Sequence, residues 1–305
     1  MLPDDVPAGV RLSTTAGWNQ RRGDWERFLA ASPDGCFVAE NDADVVGTSA
    51  TIVYGDALAW IGMVLVDPAE RGRGIGTALL ERAVRHLDER RVPSMKLDAT
   101  PQGRPLYEGM GFETEYGIER WLLEREDERE DERSAERPEP RGADPEAAPG
   151  SIPEARAAAS RATAAGAAAE VGPDLLALDR EVFGADRSAL LRSVAADAPD
   201  LVQVIRGPAD LAGYALGRRG RIADHLGPWV AHDEDVAERL LDGFLARSRR
   251  GRIFVDRTLL CPWSGALLEA RGFRFARPLT RMFRGSNASA GRPALQGGVL
   301  GPEFG

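Results

Sequence analysis

Hydrophobic and polar residues alternate along the chain between residues 36 and 66, and this pattern predicts three β-strands. The strands span Cys36–Glu40, Val45–Tyr54 and Leu58–Val66, and the polar run 41–44 joins the first two as a turn. After residue 77 the apolar residues recur every three or four positions, which is typical of a helix. These apolar positions are Ala78, Leu79, Leu80, Ala83, Val84 and Leu87.

The pattern then returns to a strand at Ser94–Ala99. Pro105 opens a short helix at a position that suits proline, and one or two strands follow within Phe112–Leu123. This order predicts a mixed α/β domain. A glycine-rich turn over residues 71–77 falls at one of its strand-to-helix junctions.

Residues 124–150 separate the chain into two halves. They contain no aromatic or large aliphatic residue, but four prolines and a run of alternating charges. Such a segment cannot bury enough apolar surface to offset the entropy lost on ordering. We therefore predict a first domain over 1–126, a linker over 127–150, a second domain over 151–286 and a C-terminal tail over 287–305.

Composition and charge limit the classes of partner. A formal net charge of −9 over 305 residues makes attraction to nucleic acid or anionic lipid unexpected. The apolar runs are shorter than the roughly 20 residues of a membrane span, and the first residues lack the order of a signal peptide. Cys36 and Cys261 show no metal-ligand spacing. We expect a cytoplasmic protein without a metal, as a monomer or homodimer.

The loop 71–77 has the features of an anion-binding site. A strand that enters a helix leaves backbone N–H groups unpaired at the positive end of the helix. Glycines let a phosphate approach the backbone, and Arg71 and Arg73 can donate charge-assisted hydrogen bonds to it. The loop has no Walker A lysine, and its GxGxG spacing departs from the Rossmann GxGxxG. A plain helix start in a tight glycine turn is the alternative.

Two motifs resemble those of the GNAT acyltransferase superfamily. The first is Arg71-Gly-Arg-Gly74-Ile-Gly76, which looks like the acyl-coenzyme A loop of that family. The second is Tyr107-Glu-Gly-Met-Gly111-Phe112, which looks like its closing motif. The resemblance covers roughly residues 8–125 and implies a GNAT fold, with a mixed, mostly antiparallel sheet flanked by helices.

The resemblance also implies a site and a mechanism. Acetyl-coenzyme A would be the co-substrate, and an acceptor amine would attack its carbonyl directly. The backbone of the strand would bind the pantetheine arm and supply one oxyanion N–H, and the loop would hold the pyrophosphate. The cofactor-binding residues implied in this way are Met63, Val64, Leu65 and Val66 on the strand, and Arg71, Gly72, Arg73, Gly74, Ile75, Gly76 and Thr77 on the loop.

The same resemblance places Tyr107 as the general acid that protonates the departing thiolate, and a core aromatic that packs its helix under the sheet is the alternative. The general base has no match on this strand, because Ala59–Val66 carries no carboxylate. Asp98 is the nearest candidate by sequence, and a water chain is the alternative. Lys96, the only lysine, is predicted to lie at the surface, to belong to the active site or to pair with Asp98. Tryptophans are predicted to line an acceptor pocket or to pack the helices onto the sheet; they are Trp18, Trp25 and Trp60.

The second half resembles a degenerate copy of the first. His225-Leu-Gly227-Pro-Trp-Val-Ala231 corresponds to Trp60–Val66, and Phe254-Val-Asp256 corresponds to Lys96-Leu-Asp98. Where the first copy has its glycine loop, the second has three acids and no glycine, and Leu268 replaces the tyrosine. We therefore predict two tandem GNAT folds of the α/β (α+β) class, and no acyl-coenzyme A bound by the second.

The function predicted from these features is acetyl-coenzyme A dependent acetylation of a primary amine on a small molecule. Two alternatives remain open at this point. The protein could sense acyl-coenzyme A without catalysis, or it could acetylate a protein or peptide.

Overall fold

The computed structural model describes residues 1–42, 44–125, 170–208 and 210–305. Within these residues the first half contains β1 to β5 and four α-helices, and the second half repeats this order with β6 to β10 and four more α-helices. A last short strand, β11, follows. The helices are α1 (Val6–Thr15), α2 (Arg22–Ala31), α3 (Ile75–Glu89), α4 (Arg104–Gly109), α5 (Pro173–Phe183), α6 (Ser188–Asp197), α7 (Glu234–Arg247) and α8 (Ser264–Ala270).

The strands of both halves join into one sheet. Its order is β1-β2-β3-β4-β10-β5-β9-β8-β7-β6, and β11 pairs with β8 away from this path. Neighbours are antiparallel except for β3 with β4 and β8 with β9. The strands are β1 (Cys36–Asn41), β2 (Asp44–Tyr54), β3 (Leu58–Val66), β4 (Ser94–Ala99), β5 (Glu113–Glu124), β6 (Gln203–Arg206), β7 (Leu211–Arg219), β8 (Asp224–Ala231), β9 (Arg252–Thr258), β10 (Arg274–Gly285) and β11 (Gln296–Gly298).

The two halves exchange their last long strands. β10 of the second half lies between β4 and β5, and β5 of the first half lies between β10 and β9. The strand order therefore reads the same from either end once each strand is replaced by its counterpart. The predicted tandem copies are confirmed. Because the strands are exchanged, neither half completes its sheet alone. The predicted boundaries at 126 and 150 fall where the structure describes no residues, so they stay a prediction.

One helix in each half covers the sheet with an apolar face. In α3 this face consists of Leu79, Leu80, Ala83, Val84 and Leu87. In α7 the equivalent residues are Val236, Ala237, Leu240, Leu241 and Phe244. The helical spacing predicted after residue 77 is therefore the core-facing stripe of α3, except that Ala78 is exposed.

Equivalent ion pairs lie on either side of the exchanged strands. Arg281 on β10 donates to both carboxylate oxygens of Asp98 on β4, at 2.8 and 2.9 Å. Arg120 on β5 donates in the same way to Asp256 on β9, at 2.8 and 2.7 Å. All four side chains are 10 % exposed or less. Each half thus supplies the arginine that neutralises a buried aspartate of the other half.

The C-terminal segment 287–305 lies against both halves. Its strand β11 pairs with β8 in the second half. Farther on, the Phe304 ring stacks on Phe28 with centroids 5.0 Å apart, and the Phe304 carbonyl accepts a hydrogen bond from Tyr54 at 2.9 Å. Phe304 is fully buried, so the segment is part of the core.

Candidate active site

Strands β3 and β4 separate partway along their length and open a cleft. They pair only over Leu58–Trp60 with Ser94–Lys96. Beyond Trp60, no strand among the described residues pairs with the β4-facing edge of β3, and a cleft of about 980 Å³ occupies this space. The residues that the sequence assigned to the pantetheine arm line it, namely Met63, Val64, Leu65 and Val66. Their backbone groups are positioned to bind an extended ligand.

A β-bulge in β3 changes the direction of its backbone inside the cleft. The register against β2 shifts between Thr48 and Ala50, and Met63 has a φ of 55°. The Thr48 hydroxyl donates to the Met63 carbonyl at 2.8 Å and holds this conformation. Because a bulge leaves its residues outside the ladder, backbone groups at Met63 and Val64 can face a ligand instead of β2.

The glycine loop forms one end of the cleft and leads into α3. Gly72 and Gly74 have φ values of 77° and 81°, a conformation that other residues rarely adopt. Ala78 donates the first intrahelical bond, to the Gly74 carbonyl at 3.0 Å. In the part of the chain that the structure describes, the N–H groups of residues 75–77 therefore have no backbone acceptor, so they are available to an anion at this helix N-terminus.

The two loop arginines differ in their partners. Arg73 is bonded to Glu70, whereas Arg71 donates to the Val66 carbonyl at 3.3 Å and has no carboxylate partner among the described residues. Six of the seven loop residues assigned from the sequence line the cleft; Arg73 does not. Arg71 is thus the loop cation available to a phosphate.

Tyr107 lies on α4 and lines the same cleft. Its hydroxyl makes no hydrogen bond within the described part of the protein, and its ring contacts Phe112 edge-on at 6.2 Å. Burial raises the pKa of Tyr107 to about 12. The phenol therefore stays protonated at neutral pH and keeps a proton that it can donate.

Asp98 also lines the cleft, but both of its oxygens accept hydrogen bonds from Arg281. Burial raises the pKa of Asp98, and Arg281 opposes that rise. The predictions of a surface, active-site or Asp98-paired lysine are wrong, because Lys96 is 3 % exposed, pairs with Glu115 at 2.8 Å and does not line the cleft. The exchange of β10 explains the difference, since it brings Arg281 to Asp98 from the other half.

The three tryptophans separate into two groups. Trp18 lines the cleft, whereas Trp25 and Trp60 are fully buried and do not. Trp25 packs against Gly9, where an added Cβ would lie 2.9 Å from the indole. Trp60 donates its indole N–H to the Pro302 carbonyl at 3.0 Å. Trp25 and Trp60 therefore act as core residues that support the cleft walls.

The end of the cleft away from the loop is built largely from residues that the sequence did not indicate. Pro302 and Glu303 reach it from the C-terminal segment, Arg120 from β5 and Arg277 from β10. Glu303 is buried, and one of its oxygens lies 2.6 Å from Arg218. Its other oxygen, Oε2, has no hydrogen-bond partner among the described residues. A buried carboxylate oxygen without a donor is unusual in a folded protein and calls for an explanation.

The corresponding groove of the second half is filled by the chain itself. β8 pairs with β9 only over Asp224–Leu226. Farther along, its free edge pairs with β11, where Gln296 lies opposite Val230 and Gly298 lies opposite Trp229. Val230 and Trp229 of β8 correspond to Leu65 and Val64 in the first half. An added Cβ at Gly227 would lie 1.8 Å from the Val299 carbonyl, so no space remains there.

The helix start in the second half is occupied as well. Asp233 caps α7 by accepting a hydrogen bond from the N–H of Val236 at 2.8 Å. Glu234 and Asp235 add two acids in the first turn. Pro228 stands in the place of Met63 and has no N–H. His225 is fully buried beside Asp256, and burial lowers its pKa to about 3.

Comparison with known proteins identifies the class that this fold and cleft define. A family model described as a GNAT acetyltransferase domain matches residues 32–114, and a different model with the same description matches residues 175–295. The chain belongs to the GNAT acetyltransferases and carries two such domains in tandem. It is an N-acetyltransferase, and GNAT acetyltransferases use acetyl-coenzyme A.

Similar proteins cover most of the chain. Holothin acyltransferase of a Pseudoalteromonas strain is 25 % identical over 92 % of this chain and 84 % of its own length. An uncharacterised N-acetyltransferase of Bacillus subtilis, YitH, is 25 % identical over 83 % of this chain and 79 % of its own length. Mycothiol acetyltransferase of Thermomonospora curvata is 36 % identical, but over only 28 % of this chain and 30 % of its own.

Solved structures support the same fold. An acetyltransferase-type structure from Pyrococcus horikoshii has a TM-score of 0.72 and 23 % identity, and covers 100 % of this chain and 94 % of its own. A GCN5-related N-acetyltransferase from Sphaerobacter thermophilus has a TM-score of 0.58 and 14 % identity. It covers 100 % of this chain and 97 % of its own. Among the described residues, no helix is long and apolar enough to cross a membrane, and no cluster of His, Cys, Asp and Glu could hold a metal ion.

Proposed function

We propose that the first half of this protein transfers an acetyl group from acetyl-coenzyme A to a primary amine of a small molecule. The observation that carries the proposal is the continuous cleft between the glycine loop and the C-terminal segment. Its loop end has free N–H groups and Arg71, its middle has the bulged edge of β3, and Tyr107 lines its wall. The names of the holothin and mycothiol relatives also favour a small-molecule acceptor.

The residues present suit acetyl-coenzyme A as the donor substrate. Added Cβ atoms at Gly72 and Gly74 would contact nothing within 4 Å, so the loop backbone is open to an approaching phosphate. Arg71 can add a charge-assisted hydrogen bond to that phosphate. The unpaired edge of β3 can form ladder-type hydrogen bonds with the amides of an extended pantetheine arm.

Within this proposal each cleft residue has a separate role in the transfer. The acceptor amine attacks the thioester carbonyl, a new C–N bond forms and the C–S bond breaks. A backbone N–H at the bulge stabilises the oxyanion, and holding both substrates in one cleft supplies much of the acceleration. Tyr107 gives its proton to the departing thiolate, and Trp18 forms part of the acceptor wall.

The ammonium group of the acceptor must lose a proton before it attacks. Asp98 and Glu303 are the two carboxylates near the inner end of the cleft. Arg281 engages both oxygens of Asp98, whereas Oε2 of Glu303 has no hydrogen-bond partner in the described chain. We therefore assign the role of proton acceptor to Glu303, directly or through water, and the role of a positioning ion pair to Asp98.

The proposal includes one donor site per chain. In the second half, β11 lies where the pantetheine arm would pair with β8, and Asp233 occupies the helix start where a phosphate would bind. Two acids in the first turn would also repel an anion. The second half then contributes strand β10 and the C-terminal segment to the site of the first.

Calorimetric titration of acetyl-coenzyme A tests this function. We expect one site per chain in the wild type and none in the variant Gly74→Asp, Gly76→Asp. Gly55→Asp is the matched control, because Gly55 also has a positive φ and open space around it but lies in the turn between β2 and β3. It should keep the site.

Other outcomes would reject parts of the proposal. Two sites per chain would show that the second half also binds the donor. Binding without coenzyme A release against a broad amine panel would identify a sensor of acyl-coenzyme A. Acetylation of peptides in preference to small amines would identify a protein acetyltransferase.

A further inference from the structure

The inner end of the cleft carries one cation that has no ion-pair partner among the described residues. Six charged residues line the cleft, and four of them have an oppositely charged partner within 3 Å: Glu70, Asp98, Arg120 and Glu303. The two without such a partner in the described part of the chain are Arg71 and Arg277. Arg71 belongs to the proposed phosphate site, so Arg277 has no assigned role.

The surroundings of Arg277 make its charge unfavourable in the absence of a ligand. Its side chain is partly buried on β10, directly opposite Arg120 in the ladder. Burial lowers the pKa of Arg277, and the positive charge of Arg120 lowers it further. Asp256 and Glu303 offset this in part, but they are already paired with Arg120 and Arg218. A half-buried cation beside another cation destabilises the fold unless an anion joins it.

The position of Arg277 indicates which anion that is. The anionic groups of the donor are assigned to the loop, and the bulged edge of β3 lies between the loop and the inner end. Arg277 instead lies close enough to Glu303 for their charges to interact, and both line the cleft together with Pro302 and Leu279. An anion here comes from the acceptor. A single uncompensated guanidinium matches one planar, singly charged group, and a carboxylate fills its fork-shaped donor set.

We infer that the acceptor is an amine that also carries a carboxylate, and that Arg277 binds this carboxylate while Glu303 faces the amine. This inference rests on the proposed function and narrows its substrate class to amino-acid-like acceptors. It assigns Arg277 to substrate selection, since no bond to the reacting atoms is required of it.

Matched acceptors test the inference directly. The panel contains α-amino acids, their carboxamides and the corresponding decarboxylated amines, together with aminoalkyl phosphates. The proteins are the wild type, Arg277→Gln, Arg277→Lys and the control Arg274→Gln, which changes an exposed arginine on the same strand. The rate of coenzyme A release gives kcat and KM for each combination of protein and acceptor.

We expect the wild type and Arg274→Gln to prefer an amino acid over its carboxamide by at least about tenfold in kcat/KM, the effect of one charge-assisted pair. In Arg277→Gln this ratio should fall close to one, mainly through KM, and Arg277→Lys should lie between. Arg277→Gln should unfold at the same or a higher temperature, because it removes an unpaired cation. That result separates loss of recognition from loss of folding.

The opposing outcomes are distinct. Equal or better use of carboxamides or plain amines by the wild type overturns the inference and leaves the proposed function intact. A preference for carboxylates that survives in Arg277→Gln, or acetylation of aminoalkyl phosphates alone, also overturns it. Failure of the wild type to bind acetyl-coenzyme A overturns the proposed function and the inference together.

Discussion

Replacing Arg281 with methionine removes a cation of the second half that neutralises a carboxylate of the first. The side chain of Arg281 is 3 % exposed and that of Asp98 is 0 % exposed. The guanidinium donates three hydrogen bonds, two to Asp98 and one to Tyr116 at 2.7 Å. Removing one partner of a buried pair leaves an uncompensated charge and destabilises a protein by about 3–5 kcal/mol. We therefore expect Arg281→Met to lower the free energy of unfolding by that amount.

Urea unfolding followed by fluorescence and by circular dichroism measures this effect. Because the halves share strands, both signals should report one cooperative transition in the wild type and in the variant. The double variant Asp98→Leu, Arg281→Met should recover most of the loss, since replacing both charges of a buried pair is often neutral. Two separate transitions, or an unchanged midpoint in Arg281→Met, would show that the exchanged strands do not couple the halves.

Three further results are expected. Tyr107→Phe should lower kcat by about 10²–10⁴ with an unchanged Kd for acetyl-coenzyme A in single-turnover and titration assays, and full turnover would rule out the acid role. Phe304→Ala should destabilise the protein by about 3–5 kcal/mol in urea unfolding, whereas Phe304→Leu should cost less; a neutral Phe304→Ala would show that the C-terminal segment is not part of the core. Burial lowers the pKa of His225 from about 6.5 in the unfolded chain to about 3 in the folded chain. Stability should thus fall as pH drops through this window, by up to about 1.4 kcal/mol per pH unit, and His225→Gln should flatten the slope between pH 7 and pH 5; an equal slope would assign the acid sensitivity to other groups.

The local elements of the first half could be predicted because each is specified within a short stretch. Alternation gave β1 to β3, helical spacing gave α3, and the glycines marked the loop that lies at one end of the cleft. These features depend on neighbouring residues only, so a single sequence contains them.

The exchange of strands could not be predicted in the same way. β5 and β10 are equivalent strands. Their patterns of buried and exposed residues would be satisfied whether each strand stayed in its own half of the sheet or was exchanged. The partner of Asp98 lies 183 residues away in the sequence. Periodicity shows which face of a strand is buried but does not show which strand lies beside it.

The inner end of the cleft was missed for a related reason. Gln296–Gly298 is too short to show a period, and Glu303 stands in a segment without regular structure. Arg277 is one arginine in a chain whose 39 basic residues are nearly all arginine. Its special feature is that no carboxylate among the described residues pairs with it, which only the fold shows. The tryptophan pattern, in turn, could not separate Trp18 in the cleft from Trp25 and Trp60 in the core.

The place of β10 in the sheet also affects how the protein is made. During synthesis, β1 to β5 leave the ribosome well before β10. The edges of β4 and β5 therefore stay unpaired until a strand more than 150 residues away in the chain has been made. An unpaired strand edge is a template for pairing with other chains. We expect nascent chains that stop before residue 274 to associate with one another or to recruit chaperones. The acetyl-transfer site of the first half would then be assembled late in translation, although its loop, its helix and its tyrosine are made early.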